Sequence, residues 1–450
     1  MRGFLASSIG VTCAAALALP LTLPASAAPS AAPATQSTSG ARPASTTAAP
    51  DLPGSTQSLP LTPRTRDRTF GAAPEQGLTR ADVHRFSLVG VTWADPDTEL
   101  RGRVQVRTRT TATGNWSGWQ DIDTHNEDHG ADPGTAERDS GHVHGSTAPL
   151  WVGDSDGVDV RVRANTAQTR TVEAVAEQPS ALPAGLHLEL VDPGAPQAPL
   201  AGARATTNRN HNYNHNRTAT PHLAATELPA LSKQATEREL VALGHKAQPY
   251  IGPRPRIVTR HGWGADEKLR EKGFVYTKKV KAAFVHHTAS GNNYRCSQAP
   301  SVIRGIYRYH VKSSGWRDIG YNFLVDKCGT IYEGRAGGVA KAVMGAHTLG
   351  FNTDSMGIAV LGTFGSAKPS SAAVTAIAKL TAWKLGLYGV NPRGKTYLKS
   401  GGGNLYRKGK NVRLNVISGH RDGFATECPG RQLYGKLGSA RSTSARYQGR

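Results

Sequence analysis

Long apolar runs, acidic residues and cysteines are all scarce in this 450-residue chain. The one extended apolar run, at residues 11–23, is too short and too interrupted by proline to span a membrane, so the sequence predicts no transmembrane segment. The four cysteines are Cys13, Cys296, Cys328 and Cys428. If Cys13 leaves with a signal peptide, three cysteines remain in an oxidising compartment, so at least one of them must have a role other than a disulfide within the chain.

The N-terminal residues 1–27 have the pattern of a secretory signal peptide. Arg2 supplies positive charge, the apolar run follows, and Ala25-Ser26-Ala27 matches an A-x-A cleavage site. Residues 28–71 are rich in Ala, Pro, Ser and Thr and poor in large apolar side chains, a composition that cannot offset the entropy of ordering the chain. We therefore expect an exported protein that begins with a disordered tether.

Residues 72–193 alternate between apolar and polar side chains in short runs separated by turn residues. Runs such as 86–93, 103–107, 158–163 and 186–190 have the period of half-buried strands, which predicts a small all-β, sandwich-like domain. Trp116 and Trp119 fit either sugar stacking or packing, and packing is the commoner role of tryptophan in a sandwich. Four histidines of this region also have two interpretations, a metal site or an acidic, glycine-rich loop, and we favour the loop: His125, His129, His142 and His144.

The segments that flank the second half of the chain are of low complexity or strongly basic. Residues 194–253 include an Asn/His run without apolar period and are predicted to be a linker, with a short helix over residues 228–243. Residues 441–450 are predicted to be a basic tail.

The net positive charge of the chain arises from its second half. Residues 251–450 contain 33 Lys and Arg and 9 Asp and Glu, a net charge of +24, so the first 250 residues carry about −3. No nucleic-acid-binding motif accompanies this charge, which favours anionic wall polymers over a specific nucleic acid as partners. Much of the charge lies in residues 393–413, where Gly401-Gly402-Gly403 indicates a solvent-facing hairpin.

Two helices and several strands are predicted within residues 254–440. Apolar residues at helical spacing mark one helix near Val302 and another after Pro369-Ser370, and apolar runs at 282–287, 321–325, 357–361 and 412–419 read as strands. This pattern predicts an α/β or α+β domain.

Reactive side chains follow two of these apolar runs. His420 and Cys428 lie in the loop after 412–419, and His286 and His287 end the run 282–287. Imidazole and thiolate are ligands that zinc prefers, although a disulfide at Cys428 and a merely hydrogen-bonded His420 fit the local pattern too. Only one of the adjacent histidines can face a given side of a strand, and periodicity does not decide which.

Several motifs together resemble the peptidoglycan recognition proteins and the type 2 N-acetylmuramoyl-L-alanine amidases. They are Phe284-Val285-His286-His287-Thr288-Ala289, residues 316–323 (WRDIGYNF), residues 332–335 (YEGR) and residues 418–430 (SGHRDGFATECPG), and the resemblance covers residues 255–437. It implies an α/β domain with a mixed central sheet, packed helices and a substrate groove. The implied activity is that of a secreted, cell-wall-associated, zinc-dependent hydrolase that cleaves the amide bond between N-acetylmuramic acid and L-alanine. The alternative is a non-catalytic peptidoglycan-binding module, but such family members typically lack the ligand cysteine.

The resemblance also implies roles for individual residues. The zinc ligands would be His286, His420 and Cys428, which leaves one coordination position open, as in catalytic zinc sites. Tyr321 would stabilise the oxyanion, and Thr426 stands where phage-type members have a lysine, so its contribution should be smaller.

The same resemblance assigns the substrate groove and a disulfide. His310, Trp316, Arg335 and His347 match groove positions, and the combination of Trp316 with Arg335 resembles members that recognise diaminopimelate-type stem peptides. Arginine can grip the extra carboxylate of diaminopimelate bidentately, although Arg335 could instead pair with Glu333 or Asp354. The family often has a disulfide in the neighbourhood of Cys296 and Cys328, which leaves Cys428 for the metal.

Overall fold

The computed structural model describes residues 54–64, 73–124, 129–171, 174–195, 225–242, 246 and 248–450. The predicted signal peptide, most of the predicted tether and the Asn/His run of the predicted linker lie outside these residues, as does His125. Among the helices in the described ranges, none is both long and apolar enough to cross a membrane.

The described residues of the N-terminal half form an all-β domain, as predicted. In chain order its strands are β1 (Ser55–Pro60), β2 (Thr62–Pro63), β3 (Glu75–Arg80), β4 (Phe86–Trp93), β5 (Gly102–Thr110), β6 (Gln120–Ile122), β7 (Gly145–Ser146), β8 (Leu150–Ala164), β9 (Thr166–Thr171), β10 (Ala174–Pro179) and β11 (His187–Asp192).

The long strand β8 organises this β-domain. Its first half pairs with β4 and its second half with β3 and β5, all antiparallel. On the other side of β4 lie β11 and then β1, whereas β9 and β10 form a separate hairpin. The strand β8 thus belongs to the part of the sheet with β4 and to the part with β3 and β5. As a result the inward side chains of both parts share one apolar core, which includes Phe86, Val104, Val160 and Leu188.

The predicted boundary between tether and β-domain was wrong. Residues 55–63, assigned to the tether, form β1 and β2, and β1 pairs with β11 from Ser55↔Asp192 to Pro60↔His187. The run from Ser55 to Pro60 has few apolar side chains because an edge strand is held mainly by backbone hydrogen bonds along one side. Composition therefore gave no sign of it.

The second half forms an α/β domain with a mixed sheet. Its strands are β12 (Glu227–Leu228), β13 (Ile257–Val258), β14 (Ala282–His287), β15 (Phe323–Val325), β16 (Ile331–Glu333), β17 (Ser355–Val360), β18 (Lys395–Lys399), β19 (Asn411–Asn415) and β20 (Ile417–Gly419). Its helices are α1 (Lys233–Ala242), α2 (Arg260–Trp263), α3 (Ala299–Arg308), α4 (Ser371–Gly386), α5 (Arg431–Tyr434) and α6 (Leu437–Gln448), and a π-helical turn (Tyr309–Ser313) continues α3.

Helices cover both faces of this sheet. The strand order is β12-β13-β16-β15-β17-β14-β20, and the four consecutive strands β15, β17, β14 and β20 run parallel. Successive side chains of a strand point to opposite faces. On β15 this places Phe323 and Val325 in the core with α4, and Leu324 in the core with α3. The strands β18 and β19 form the predicted hairpin outside the sheet.

Two segments predicted to lie outside the domain belong to it. The described end of the linker contributes α1, as predicted in outline, and β12, which pairs with β13. The predicted basic tail is the end of α6, where Ser444, Ala445 and Gln448 are buried. The small size of the buried residues explains why hydrophobicity did not reveal the helix.

The β-domain packs directly on α3 and its π-helical turn. Leu88 and Trp151 of the β-domain share an apolar cluster with Tyr309, whose hydroxyl donates to the Thr147 carbonyl at 3.1 Å. The approach is so close that a Cβ added to Gly90 would lie 2.3 Å from the Tyr309 hydroxyl. The two domains therefore meet in a packed interface.

Candidate metal centre and substrate groove

The alternation of β14 separates His286 from His287. His286 is fully buried on the face opposite α4, on the same side of the strand as Phe284. His287 points the other way, where its Nδ1 accepts a hydrogen bond from the Phe364 N–H at 3.2 Å. The strand geometry thus assigns only His286 to the histidine cluster described next.

His420 and Cys428 approach His286 from the neighbouring strand β20. His420 follows directly after β20, which pairs in parallel with β14, and its ring centroid lies 4.4 Å from that of His286. The Cys428 sulfur lies 3.8 Å from Nδ1 of His286. The structure therefore brings together the three residues that the sequence analysis assigned to the metal.

A fourth donor, His129, comes from the β-domain. One ligand atom from each of His129, His286, His420 and Cys428 lies within 4.8 Å of the others, and all four residues are buried. The His129 ring centroid is 4.6 Å from that of His420 and 5.3 Å from that of His286. The sequence predicts a loop without a metal role for this histidine. The structure instead places it in the cluster, and only its occurrence in a histidine-containing stretch could have pointed to it.

The imidazole of His286 is kept uncharged by its surroundings. Burial lowers the pKa of His286 well below its usual value, and the nearby rings of His420, His347 and His129 lower it further. A metal binds the neutral imidazole, so this environment keeps the ring in the form that ligation requires.

Tyr321 and Thr426 border the cluster. The Tyr321 ring lies 5.5 Å from that of His286 and 5.7 Å from that of His129, and the side chain is almost fully buried. The Thr426 hydroxyl accepts a hydrogen bond from the Cys428 N–H at 3.1 Å. Both residues line a small cavity of about 10 Å³ beside the cluster.

The predicted groove residues His310, Trp316 and His347 are all buried, and the ring of His310 lies 5.8 Å from that of Tyr321. The rings of His310 and Trp316 stack at 4.3 Å, and Nδ1 of His310 accepts from the Gly320 N–H. His347 lies 5.3 Å from the ring of His286. Burial lowers the pKa of both His310 and His347 well below the usual value.

Arg335 pairs with neither acid considered in the sequence analysis. Glu333 accepts a hydrogen bond from the backbone of Arg260, and Asp354 forms an ion pair with Lys281. The partner of Arg335 is Glu137 of the β-domain, with which it forms two hydrogen bonds of 2.8 Å. Glu137 had no role in the sequence analysis, because nothing in its local pattern points to an arginine in the other domain.

The remaining cysteines are paired. Cys296, at the start of the turn before α3, forms a disulfide with Cys328, which follows β15. This is the disulfide that the family resemblance implied. Cys428 is buried in the cluster and is not part of this bridge.

Two family models match the chain. The model described as Rv3811 N-terminal galactose-binding domain-like matches residues 41–183, and the model described as N-acetylmuramoyl-L-alanine amidase matches residues 276–431. Peptidoglycan-recognition protein SC2 of Drosophila simulans is 30% identical over 200 residues, which cover 44% of this chain and 92% of that protein. The chain belongs to the peptidoglycan recognition protein and type 2 amidase family.

One further relative supports this assignment, and one solved structure is similar in sequence. Peptidoglycan-recognition protein SC1a of Drosophila melanogaster is 33% identical over 192 residues, covering 42% of this chain and 87% of that protein. The solved structure of Drosophila PGRP-LB is 26% identical over 41% of this chain and 93% of its own, with a TM-score of 0.32. The predicted fold class, an all-β domain followed by an α/β amidase-type domain, is confirmed.

Proposed function

We propose that the protein is a secreted, zinc-dependent amidase that hydrolyses the bond between N-acetylmuramic acid and L-alanine in peptidoglycan. The observation that carries the proposal is the buried cluster of His286, His420 and Cys428 inside a domain matched by the amidase family. Family members that only bind peptidoglycan typically lack the ligand cysteine, so the presence of Cys428 favours an enzyme.

The donor set fits zinc. Two neutral imidazoles and one thiolate are the soft and borderline ligands that zinc takes in tetrahedral sites. A zinc ion there would polarise the scissile carbonyl and supply a water nucleophile at neutral pH. The chain would hold it with His286, His420 and Cys428.

The neighbouring side chains would act on the substrate. Tyr321, next to the cluster, would donate a hydrogen bond to the oxygen of the carbonyl as negative charge develops on it. Thr426, which lines the same cavity, would donate a second, uncharged hydrogen bond. Because Thr426 carries no positive charge, we expect it to contribute less than a lysine would.

Arg335 would select the stem peptide. Its guanidinium already holds one carboxylate in bidentate geometry, which is the arrangement required for the terminal carboxylate of diaminopimelate. Lysine in the same position of a stem peptide lacks that group. We therefore propose diaminopimelate-type peptidoglycan as the preferred substrate, with His310, Trp316 and His347 as further groove residues.

The proposed location is the cell wall outside the membrane. The signal-like residues 1–27 support export, and the +24 charge of residues 251–450 supports attraction to anionic wall polymers.

A second candidate function is a recognition module with a structural metal. It is favoured by His129, because four protein ligands make the closed arrangement of structural zinc sites. Only the first function includes hydrolysis. A test must therefore compare the native chain with a variant that lacks the fourth donor, His129.

Mass spectrometry of digested peptidoglycan distinguishes the two functions. Diaminopimelate-type sacculi would be incubated with the zinc-loaded full chain, with His129→Ala, and with His129→Ala combined with Cys428→Ser. The proposal predicts stem peptides with a newly exposed L-alanine amine and intact glycan strands from His129→Ala, and none from the double variant. Peptidoglycan that is bound but uncleaved by both the native chain and His129→Ala would establish the recognition module instead.

A further inference from the structure

A segment of the β-domain contacts the residues of the proposed substrate groove. Residues 129–144, the described part of the β-domain chain that leads into β7, run across the α/β domain between the histidine cluster and the π-helical turn. We call these residues the inserted segment. It is held at several separate points, each of which involves a residue or element of the proposed groove.

The first point is His129. The cluster without it has three donors, which leaves one position for a water and the substrate carbonyl. With His129 it has four donors within 4.8 Å of one another. A histidine of the β-domain therefore stands where the proposed reaction requires an open position.

The second point is Glu137. Its two oxygens accept hydrogen bonds of 2.8 Å from the two terminal nitrogens of Arg335, and one oxygen also accepts from the Arg317 N–H. The side chains of Glu137 and Arg335 are only 3% and 5% exposed, so water cannot replace either partner. Glu137 thus presents to Arg335 the chemical group that the proposed function assigns to the substrate.

Between these two points Asp132 fixes the segment to the loop after His347. Its Oδ1 accepts from the Gly350 N–H and from the Asn352 side chain, both at 2.7 Å. Asn352 in turn accepts from the N–H of His347 at 2.7 Å. The inserted segment is therefore built into the hydrogen-bond network of the groove.

The far end of the segment is attached to the π-helical turn. The His144 N–H donates to the Ser314 carbonyl at 3.1 Å, and a Cβ on Gly315 would lie 1.8 Å from the His142 carbonyl oxygen. Among the described residues, the cavity beside the cluster measures about 10 Å³, which is room for about one water and not for a muramyl peptide.

We propose that the inserted segment is an internal competitive inhibitor that keeps the enzyme latent. This inhibition rests on the proposed function. His129 takes the coordination position that the reacting groups require, and Glu137 takes the place of the diaminopimelate carboxylate. A stem peptide binds Arg335 only when Glu137 leaves, so the observed affinity is reduced by the small fraction of molecules in which the segment is displaced. Turnover likewise requires that His129 leave the cluster.

Peptide binding tests the Glu137 contact without requiring hydrolysis. The probe is the tripeptide L-alanyl-D-glutamyl-diaminopimelate, titrated calorimetrically into the full chain. Glu137→Gln should bind it at least tenfold more tightly than the native chain, because the competing charge is lost. Adding Arg335→Ala should abolish the gain, and the control Glu99→Gln, an exposed acid of the same domain, should bind as the native chain does. Equal affinity of Glu137→Gln and the native chain would overturn the proposal.

Metal spectroscopy tests the His129 contact. The optical spectrum of the cobalt-substituted full chain should change on His129→Ala, as one imidazole is replaced by solvent, and a competing chelator should remove the metal at least tenfold more readily. The control His84→Ala alters an exposed histidine of the same domain and should change neither. An unchanged spectrum and metal affinity for His129→Ala would show that His129 is not a ligand.

Hydrogen exchange on the native chain avoids any effect of substitution on folding. Saturating tripeptide should increase amide exchange in residues 129–144 while leaving β4 and β8 unchanged. Bound tripeptide with unaltered exchange in the inserted segment would contradict competition. None of the three readouts depends on amide hydrolysis, so a failure of the amidase function and a failure of this proposal give different results.

Discussion

Glu137 and Arg335 form a bidentate ion pair that joins the two domains across 198 residues of sequence. Both side chains are almost completely buried, so each charge depends on the other for compensation. The same pair closes the proposed specificity site. Domain packing and latency are thus coupled through one contact.

The first prediction concerns the stability of this pair. Removing one partner leaves an uncompensated buried charge, so Glu137→Leu should lower the free energy of unfolding by about 3–5 kcal/mol. Glu137→Leu combined with Arg335→Leu should recover most of that loss, because two apolar side chains replace a pair whose desolvation was costly. Denaturant unfolding of the three proteins is the measurement. A double variant as unstable as the sum of the single variants would show that the charges do not compensate each other.

The second prediction concerns substrate choice. In the Glu137→Gln background, Arg335→Ala removes a charge-assisted contact worth about 1.5–3 kcal/mol, so hydrolysis of diaminopimelate muropeptides below saturation should fall roughly ten- to a hundred-fold. Lysine-type muropeptides lack the carboxylate and should be nearly unaffected. Trp316→Ala should slow the hydrolysis of both substrates, because the indole of Trp316 does not distinguish the third residue of the stem peptide. Equal losses on the two substrates for Arg335→Ala would mean that the arginine only supports the groove.

The third prediction concerns the disulfide. Cys296 and Cys328 are separated by 32 residues, and in the entropic treatment a bridge of that span stabilises the native state by about 3–4 kcal/mol. Replacing both with alanine should lower the free energy of unfolding by that amount, less any strain, while metal content stays the same. After denaturation and metal removal, a thiol reagent should label Cys428 alone in the mature native chain. Labelling of Cys296 or Cys328 in the absence of reductant would refute the pairing.

The fourth prediction follows from a buried lysine in α4. Lys384 donates to the carbonyls of Val339 and Lys341, and burial lowers its pKa from 10.5 to about 7. Between these two values the unfolded chain binds more protons than the folded one, so stability rises with pH, by up to about 1.4 kcal/mol per pH unit for a single group.

The test of Lys384 is a comparison of two pH profiles. The free energy of unfolding of the native chain should rise from about pH 7 toward the alkaline end of that window, and Lys384→Met should show a flatter profile. Other titrating groups change the free energy of unfolding of both proteins equally, so their contribution cancels when one profile is subtracted from the other. Parallel profiles would show that Lys384 keeps an ordinary pKa in the folded state.

Much of the proposed catalytic site could be predicted because its residues lie at the ends of strands. The apolar run of β14 ends at His286, and the segment that becomes β20 leads directly to His420. Parallel pairing of these strands then brings both residues to one edge of the sheet. Local pattern and family motif were sufficient for His286 and His420 because each of these two residues is attached to a regular element.

The contributions of the β-domain could not be predicted in the same way. His129 and Glu137 lie outside regular strands, and their positions depend on how the β-domain packs against Tyr309 and the π-helical turn. Packing of one domain on another leaves no periodic signal in either sequence. The edge strand β1 escaped prediction for a related reason, since its side chains take little part in the core and its backbone makes the contacts.

Metal analysis of the purified full chain tests the central claim, that the cluster is a mononuclear zinc site. Elemental mass spectrometry should find about one zinc per chain, the stoichiometry of a single site. The Cys428→Ser variant should lose its zinc at a chelator concentration at which the native chain keeps the metal. The fold of the variant should otherwise be retained. A native chain that holds no zinc after exposure to the metal, or a Cys428→Ser variant that holds it as tightly, would contradict the claim.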